Sequence, residues 1–185
     1  MPPRNYDTLC ATPSPINEHL PTLRQYASQC EHVTEFGVDT VVSTWALIES
    51  GAKVVRSYDI TLHPNTAAAV VRAKDKQVDL KFIQGNTLSV EIESTDMLFI
   101  DTRHTYAQVG TELERHANKV RKFMAFHDVV TFGLADEPPP ALQEQRQPAG
   151  LLPAVLKWLI VNPQWRVVRF DTNNNGLLVL SRLAS

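Results

Sequence analysis

The stretch EFGVDTVVST, residues 35–44, decides the fold class of this chain. The apolar residues 33–36 predict a strand, Gly37 follows it at once, and a helix is expected to begin near Ser43 and Thr44. In this order of strand, tight loop and helix, the glycine permits close backbone approach. The free N–H groups of the helix point toward a ligand. The stretch therefore predicts a binding crevice at the carboxyl end of a parallel strand.

An acidic residue at the end of the next predicted strand supports a nucleoside ligand. Asp59 closes the run 54–59 and lies about 20 residues after Gly37, where this architecture places the acid that binds ribose hydroxyls. The dinucleotide motif GxGxxG is incomplete, because Asp39 and Val42 stand in place of its second and third glycines. Gly37 and Asp59 together indicate an adenosine-containing ligand and disfavour a dinucleotide.

The rest of the chain continues the alternation of strand and helix, which predicts a parallel sheet covered on both faces. Two final β-like runs flank an Asn-Gly signal, which predicts an antiparallel hairpin at the end of that sheet. The predicted strands are 33–36, 54–59, 79–84, 96–101, 122–128, 165–171 and 177–183, and the predicted helices are 17–29, one starting near 43, 66–74, 105–120 and 150–162.

Composition excludes several classes of protein. Hydrophobic residues make up 43% of the 185 residues, close to the average of a globular domain, which argues against disorder. The formal net charge is -2, so no overall basic field would hold nucleic acid or an anionic membrane. The sequence shows no signal peptide and no apolar run of bilayer length. Cys10 and Cys30 have no metal-binding or disulfide pattern, which favours a reducing, cytoplasmic setting.

The length predicts a single domain. Residues 1–16, rich in proline, are interpreted as an extended N-terminal extension, and residues 17–185 as the domain itself. Within the domain, residues 129–149 are rich in proline and charge and lose the alternating pattern. A long loop of this kind is typical of a flexible segment or a lid.

Five stretches, in the order they occur, resemble the successive motifs of class I S-adenosylmethionine-dependent methyltransferases. The closest likeness is to the small subgroup of macrocin-type sugar O-methyltransferases and cephalosporin-hydroxylase-like proteins of phages and bacteria, and it covers roughly residues 17–183. The resemblance implies a Rossmann-like three-layer α/β sandwich. Its seven-stranded sheet is parallel except for one strand of the C-terminal hairpin. The five stretches are HVTEFGVDTVVSTWAL, VVRSYD, FIQGNTL, DMLFIDTRHTY and FMAFHDVVTFG.

The resemblance also implies a cofactor site for S-adenosylmethionine. One departure concerns Val41, which occupies a position that is often glycine, so the cofactor must approach this loop differently. The implied contacts are Glu35, Gly37, Ser43 and Thr44 around the methionine part, Asp59 at the ribose, Gly85, Asn86 and Thr87 at the adenine, and Asp101 beside the reacting end.

The reacting end should lie where the fourth and fifth strands finish. His104 or His127 is a candidate general base, because an imidazole titrates near neutral pH. Asp101 and Asp128 allow a second mechanism in which Mg²⁺, bound by both carboxylates, lowers the pKa of an acceptor hydroxyl. The match to metal-dependent relatives is incomplete, since His127 stands where an acid is common.

These features favour methyl transfer to oxygen on a small molecule or a sugar, with S-adenosylmethionine as cofactor. The alternatives are an NAD-dependent oxidoreductase on a similar fold and a nucleoside-binding protein without turnover. Few residues are left outside the core to recognise an acceptor, so we expect a compact one, or a second subunit of a homodimer that completes the site.

Overall fold

A computed structural model describes residues 5–139 and 149–183. Within these residues seven strands form one sheet in the order β3-β2-β1-β4-β5-β7-β6. Strand β7 pairs antiparallel with both neighbours, and the remaining pairs are parallel, which confirms the predicted sheet. The strands are β1 (His32–Phe36), β2 (Val54–Asp59), β3 (Asp79–Gln84), β4 (Thr95–Ile100), β5 (Val120–His127), β6 (Trp165–Asp171) and β7 (Leu177–Arg182).

Helices cover both faces of the sheet, so the chain has the predicted three layers. The cluster of buried side chains on one face includes residues of α2, α3 and α4, and the cluster on the other face includes residues of α5 and α6. Nowhere in the described residues does a helix have both the length and the apolar character that crossing a membrane requires. The helices are α1 (Tyr6–Ala11), α2 (Leu20–Ala27), α3 (Ser43–Ile48), α4 (Thr66–Asp75), α5 (Tyr106–His116) and α6 (Leu151–Ile160).

The central strands are apolar on both sides because each side faces a helical layer. In β4, Met97 and Phe99 pack in one cluster, while Leu98 and Ile100 pack in the other. All six residues of β4 are buried. This buried run corresponds to DMLFI in the sequence. The next residue, Asp101, therefore lies at the carboxyl end of β4.

The N-terminal segment corrects one expectation. Residues 6–11 form helix α1 instead of extended chain. Its cap is a reciprocal one: the Thr8 backbone N–H donates to the Asn5 side chain and the Asn5 N–H donates to the Thr8 hydroxyl, at 2.9 and 3.1 Å. The prolines at positions 13 and 15 follow the helix and do not prevent it. Of the predicted loop, residues 140–148 lie outside the described part of the chain.

Candidate active site

Two adjoining cavities open at the carboxyl ends of the parallel strands. The first, of about 580 Å³, lies over the ends of β1 to β4. The second, of about 370 Å³, lies over the ends of β1, β4 and β5, and its wall includes residues 14–16. Gly37, Asp39 and Asp101 line both cavities. A ligand that fills the first cavity would therefore present one end to the second.

The loop after β1 has an unusual backbone. Gly37 has φ +84°, and a Cβ atom at this position would lie 1.8 Å from the Asp101 carbonyl oxygen. The glycine is thus required for the contact between the ends of β1 and β4. Asp39 and Val41 also have positive φ, +42° and +66°. Val41, fully buried, holds the left-handed backbone that a glycine would adopt freely, which is strained for a β-branched residue.

Asp59 holds this loop in place. Its Oδ2 accepts hydrogen bonds from the backbone N–H groups of Val38 and Asp39, at 2.7 and 3.0 Å. Its Oδ1 accepts from the N–H of Thr61 at 2.9 Å. The side chain also lines the first cavity. Because a carboxylate has about four acceptor positions, Asp59 can still accept from a ligand.

Glu35 lies beneath the loop and lines neither cavity. It is fully buried, and its carboxylate accepts hydrogen bonds from the hydroxyls of Ser43, Thr44 and Ser57, at 2.5, 2.8 and 2.5 Å. Burial raises its pKa to about 7, although the three hydroxyls oppose the rise. Ser43 reaches the wall of the second cavity, whereas Thr44 is fully buried. Glu35 and Thr44 thus act on any ligand through this network.

A Glu35→Gln variant should change how stability depends on pH. The folded pKa lies above the unfolded value of about 4.5, so the stability of the parent falls as pH rises from about 4.5 to about 7. The loss should be roughly 2–4 kcal/mol. The neutral amide cannot ionise, so the parent should lose stability relative to the variant over this window. Urea unfolding at several pH values measures the difference; a constant difference would contradict the raised pKa.

An ionic cluster lies in the second cavity, between the ends of β4 and β5. His104 Nε2 lies 2.9 Å from Asp128 Oδ2 and 3.3 Å from Asp101 Oδ1. His127 Nδ1 lies 3.1 and 3.4 Å from the same two oxygens. Two imidazoles thus face two carboxylates, and all four side chains line the second cavity.

The outer nitrogens of both imidazoles also face atoms that only accept hydrogen bonds. His104 Nδ1 lies 3.2 Å from a Glu137 carboxylate oxygen, and the ring stacks on Phe132 with centroids 4.8 Å apart. His127 Nε2 lies 3.2 Å from the Asn174 carbonyl oxygen. Since carboxylates and carbonyls cannot donate, every ring nitrogen in the cluster is placed to donate.

This arrangement shifts the pKa values of all four groups. Burial alone would lower the pKa of both histidines, but the hydrogen bonds with Asp101 and Asp128 raise that of His104 to about 10 and that of His127 to about 9. Burial alone would raise the pKa of the two aspartates, yet the histidines hold both below the usual range. As placed, the imidazoles carry the protons, and Asp101 and Asp128 are ionised and accept hydrogen bonds from them.

Comparison with known proteins identifies the architecture. Neither a family model nor a curated relative matches the sequence. Solved structures do match, among them 1,6-didemethyltoxoflavin-N1-methyltransferase of Burkholderia thailandensis, which has S-adenosylhomocysteine bound. It has a TM-score of 0.69 and 14% identity over 92% of this chain and 79% of that one. An O-methyltransferase of Bacillus cereus, in complex with S-adenosylhomocysteine, has a TM-score of 0.61 and 12% identity, over 98% of this chain and 93% of that one.

A third neighbour extends the likeness to the full length of both chains. An N-methyltransferase of Bradyrhizobium japonicum, in complex with S-adenosylhomocysteine, gives a TM-score of 0.58 and 11% identity over 97% of each chain. The chain has the methyltransferase fold. Identities this low establish the architecture alone, so the activity has to be argued from the residues of the site.

In this methyltransferase fold, the residues expected at the adenine lie on the first cavity. Gly85, Asn86 and Thr87 follow β3 and all three line its wall. The Asn86 side chain accepts from the Leu88 N–H at 2.9 Å, which fixes the turn. Thr87 is buried and donates to a carboxylate of α5, at Glu112.

The cluster also fits a divalent cation. One donor atom each from Asp101, His104 and Asp128 lie within 4.8 Å of one another. Two carboxylates and an imidazole suit such an ion, and the contact of His104 Nδ1 with Glu137 is the kind of second partner that orients a metal-binding histidine. His104 would have to give up its Nε2 proton to bind the ion. Sequence reasoning proposed the two aspartates for this site and missed the histidine as their third partner.

Two other residues of the site were missed by sequence reasoning. Glu137 lies in the irregular segment after β5, and nothing near it in the sequence links it to His104. Glu112 gave a usable signal: it falls on the same face of α5 as Val109 and Leu113, and all three are buried. A charged residue on the buried face of an amphipathic helix indicates a specific polar partner.

Proposed function

We propose that the protein is an S-adenosylmethionine-dependent methyltransferase that methylates a hydroxyl oxygen on a small molecule or sugar. The observation that carries the proposal is the junction of the two cavities at Gly37, Asp39 and Asp101. One cavity has an acid at the end of β2, suited to ribose, and the other contains carboxylates that can accept a hydrogen bond from an acceptor hydroxyl. Methyl transfer needs this juxtaposition, because the acceptor must be aligned with the sulfonium carbon and deprotonated.

In this proposal the first cavity holds the cofactor. Asp59 accepts from the ribose hydroxyls, and Gly85, Asn86 and Thr87 surround the adenine. The methionine part runs past Gly37 toward Ser43 and Asp101. Glu35 and Thr44 stabilise the loop from beneath and do not touch the ligand. We infer these contacts from the residues that line the cavity and from the hydrogen bonds of Asp59, because the neighbours are too low in sequence identity to assign them.

The ionic cluster is placed to bind the acceptor hydroxyl. Asp101 and Asp128 can accept its hydrogen bond, but their lowered pKa makes them weak bases, and the donating positions of His104 and His127 compensate the negative charge on those carboxylates. In this proposal His104 is an imidazolium that donates hydrogen bonds to the carboxylates. The sequence alone instead predicted a neutral general base, from the ordinary pKa of histidine. If a divalent cation is held by Asp101, His104 and Asp128, it would lower the pKa of the acceptor hydroxyl.

The second cavity suits a compact acceptor. Its volume of about 370 Å³ is at the small end of ligand sites. Apolar side chains, Ile16, Val38, Val42 and Phe132, line it together with the ionic cluster. A small molecule with an apolar ring face and a hydroxyl, or a single sugar, matches this combination. The described part of the predicted loop, residues 129–139, contributes Phe132 to the wall of this cavity.

A homodimer and a cytoplasmic setting belong to the same proposal. Helix α6 and the residue that follows it expose Leu156, Ile160 and Val161, with 53%, 80% and 74% of each residue accessible. Exposed apolar surface of this kind is typical of contacts between subunits. Cys10 and Cys30 are free thiols, as expected in a reducing compartment. Light scattering across a concentration series tests the dimer.

Calorimetry with S-adenosylmethionine, S-adenosylhomocysteine and NAD tests the proposal. We expect the first two ligands to bind and NAD to bind more weakly, since Asp39 and Val42 replace the second and third glycines of a dinucleotide motif. Release of S-adenosylhomocysteine is then followed across hydroxylated acceptors, with and without Mg²⁺. A preference for NAD would refute the proposal, and tight binding without turnover across the panel would favour a non-catalytic nucleoside-binding protein.

Replacing Asp59 should weaken cofactor binding without unfolding the chain. Asp59→Ala removes the ribose acceptor and the bonds to Val38 and Asp39. Since hydrogen bonds to a charged group contribute about 1.5–3 kcal/mol, the Kd for S-adenosylhomocysteine should rise roughly 10- to 100-fold. Asp75→Ala, an exposed aspartate at the end of α4, is the matched control. An unchanged Kd in Asp59→Ala would remove this residue from the site.

A further inference from the structure

Glu112 gathers three polar side chains of the first cavity around one buried carboxylate. It is fully buried on α5 and accepts from the hydroxyl of Thr87 at 2.6 Å and from the amide Nε2 of Gln108 at 2.7 Å. The hydroxyl of Thr102 lies 3.0 Å from each of its oxygens. Thr87, Thr102 and Gln108 all line the cavity, whereas Glu112 itself does not.

These bonds use up the side-chain donors of the part of the wall that Thr87, Thr102 and Gln108 form. A threonine hydroxyl has one hydrogen, and those of Thr87 and Thr102 go to Glu112. The Gln108 amide has two, one given to Glu112 and the other to the Thr87 hydroxyl at 3.1 Å. What remains for a ligand is the Gln108 Oε1 and the free lone pairs of the two hydroxyls, all of which only accept hydrogen bonds.

We propose that Glu112 is a positioning residue that makes this wall select a 6-amino purine over a 6-oxo purine. The inference rests on the proposed function, because it assigns the purine end of the cofactor to this part of the first cavity. The amino group of adenine donates hydrogen bonds and satisfies the acceptors. The carbonyl oxygen of hypoxanthine would face their lone pairs, and a buried acceptor left without a donor is costly.

Discrimination between two cofactor analogues tests the role. S-adenosylhomocysteine and S-inosylhomocysteine differ in the 6-substituent and the N1 proton that follows from it. We expect the parent to bind the adenosyl compound at least about 100-fold more tightly, since a site built around hydrogen-bonding groups strongly rejects an analogue that mismatches them. Calorimetry gives the ratio of the two Kd values without an acceptor or turnover.

Two variants should reduce this ratio. Glu112→Gln replaces two acceptors by one acceptor and a donor, so a hydroxyl or the Gln108 amide must turn and present a hydrogen to the cavity. Gln108→Leu removes the Oε1 acceptor at a half-buried position, and it keeps the proposal testable if Glu112→Gln does not fold. Glu114→Gln, the same change on the exposed face of α5, is the matched control.

A ratio that falls at least tenfold in Glu112→Gln or in Gln108→Leu, and stays at the parent value in Glu114→Gln, supports the proposal. If both ligands weaken in parallel and the ratio is unchanged, Glu112 has only a structural role and the inference is overturned. A parent that binds the adenosyl compound without preferring it overturns the inference alone. A parent that binds neither compound refutes the proposed function and this inference with it.

Discussion

Gly37→Ala should destabilise the protein by about 3 kcal/mol or more and abolish binding of S-adenosylhomocysteine. The added Cβ would lie 1.8 Å from the Asp101 carbonyl oxygen and 2.6 Å from its carbon, so β1 and β4 would have to separate at the point where the two cavities meet. The φ of +84° adds the ordinary cost of a left-handed alanine, about 1–2 kcal/mol.

Gly51→Ala separates the cost of the close contact with Asp101 from the cost of the left-handed backbone. Gly51 has nearly the same backbone, φ +93°, but its Cβ would meet nothing within 4 Å. We expect this control to lose only about 1–2 kcal/mol and to bind the cofactor as the parent does. Urea unfolding and calorimetry on both variants provide the comparison. Equal losses would mean that the backbone of β4 relaxes around the added methyl, and the close contact would no longer explain the glycine.

Asp128→Asn should slow methyl transfer by about 10²–10⁴-fold once an acceptor is known. The change removes a hydrogen-bond acceptor and the charge that faces His104 and His127, at 2.9 and 3.1 Å. Asparagine tolerates the left-handed backbone of this position, φ +59°. Because Asp128 lines only the second cavity, the Kd for S-adenosylhomocysteine should stay within about threefold of the parent.

The kinetic test needs one control and two metal conditions. Asp75→Asn, an exposed aspartate, should leave the rate unchanged. Any stimulation of the parent by Mg²⁺ should disappear in Asp128→Asn, whereas a parent that is indifferent to Mg²⁺ and to chelators would rule out the cation. An unchanged rate in Asp128→Asn would exclude this carboxylate from the chemistry.

The sequence was sufficient for the architecture because the central strands are short, continuous apolar runs that alternate with helical stretches. β4 is buried along its whole length and reads as DMLFI, and the Asn-Gly signal at residues 175–176 marks the turn between β6 and β7. Helix α1 was missed because prolines dominate its surroundings. Its reciprocal cap between Asn5 and Thr8 was the local signal that could have revealed it.

The site was harder to predict, since its contacts join distant parts of the chain. Glu35 occupies the motif position of a ligand-binding acid. However, the pairing of β1 with β2 places the Ser57 hydroxyl beside it, and this hydroxyl occupies one of the hydrogen-bond acceptor positions of the carboxylate. The protonation of His104 depends on Asp128, which lies beyond the end of another strand, β5. A residue type can indicate that a site exists, but its charge state depends on neighbours that only the folded chain supplies.

The contacts of Asn174 concern the order in which the walls of the two cavities are completed as the chain is synthesised. Its carbonyl accepts from His127, and its side chain binds Ser14 and Glu18. All walls of the first cavity lie between residues 37 and 108, whereas the second requires the segment at 14–16 and Asn175, which are among the most distant parts of the chain. The second cavity is therefore complete only once the chain has been made through Asn175, and a ribosome-bound chain lacking its last hairpin would lack that part of its wall.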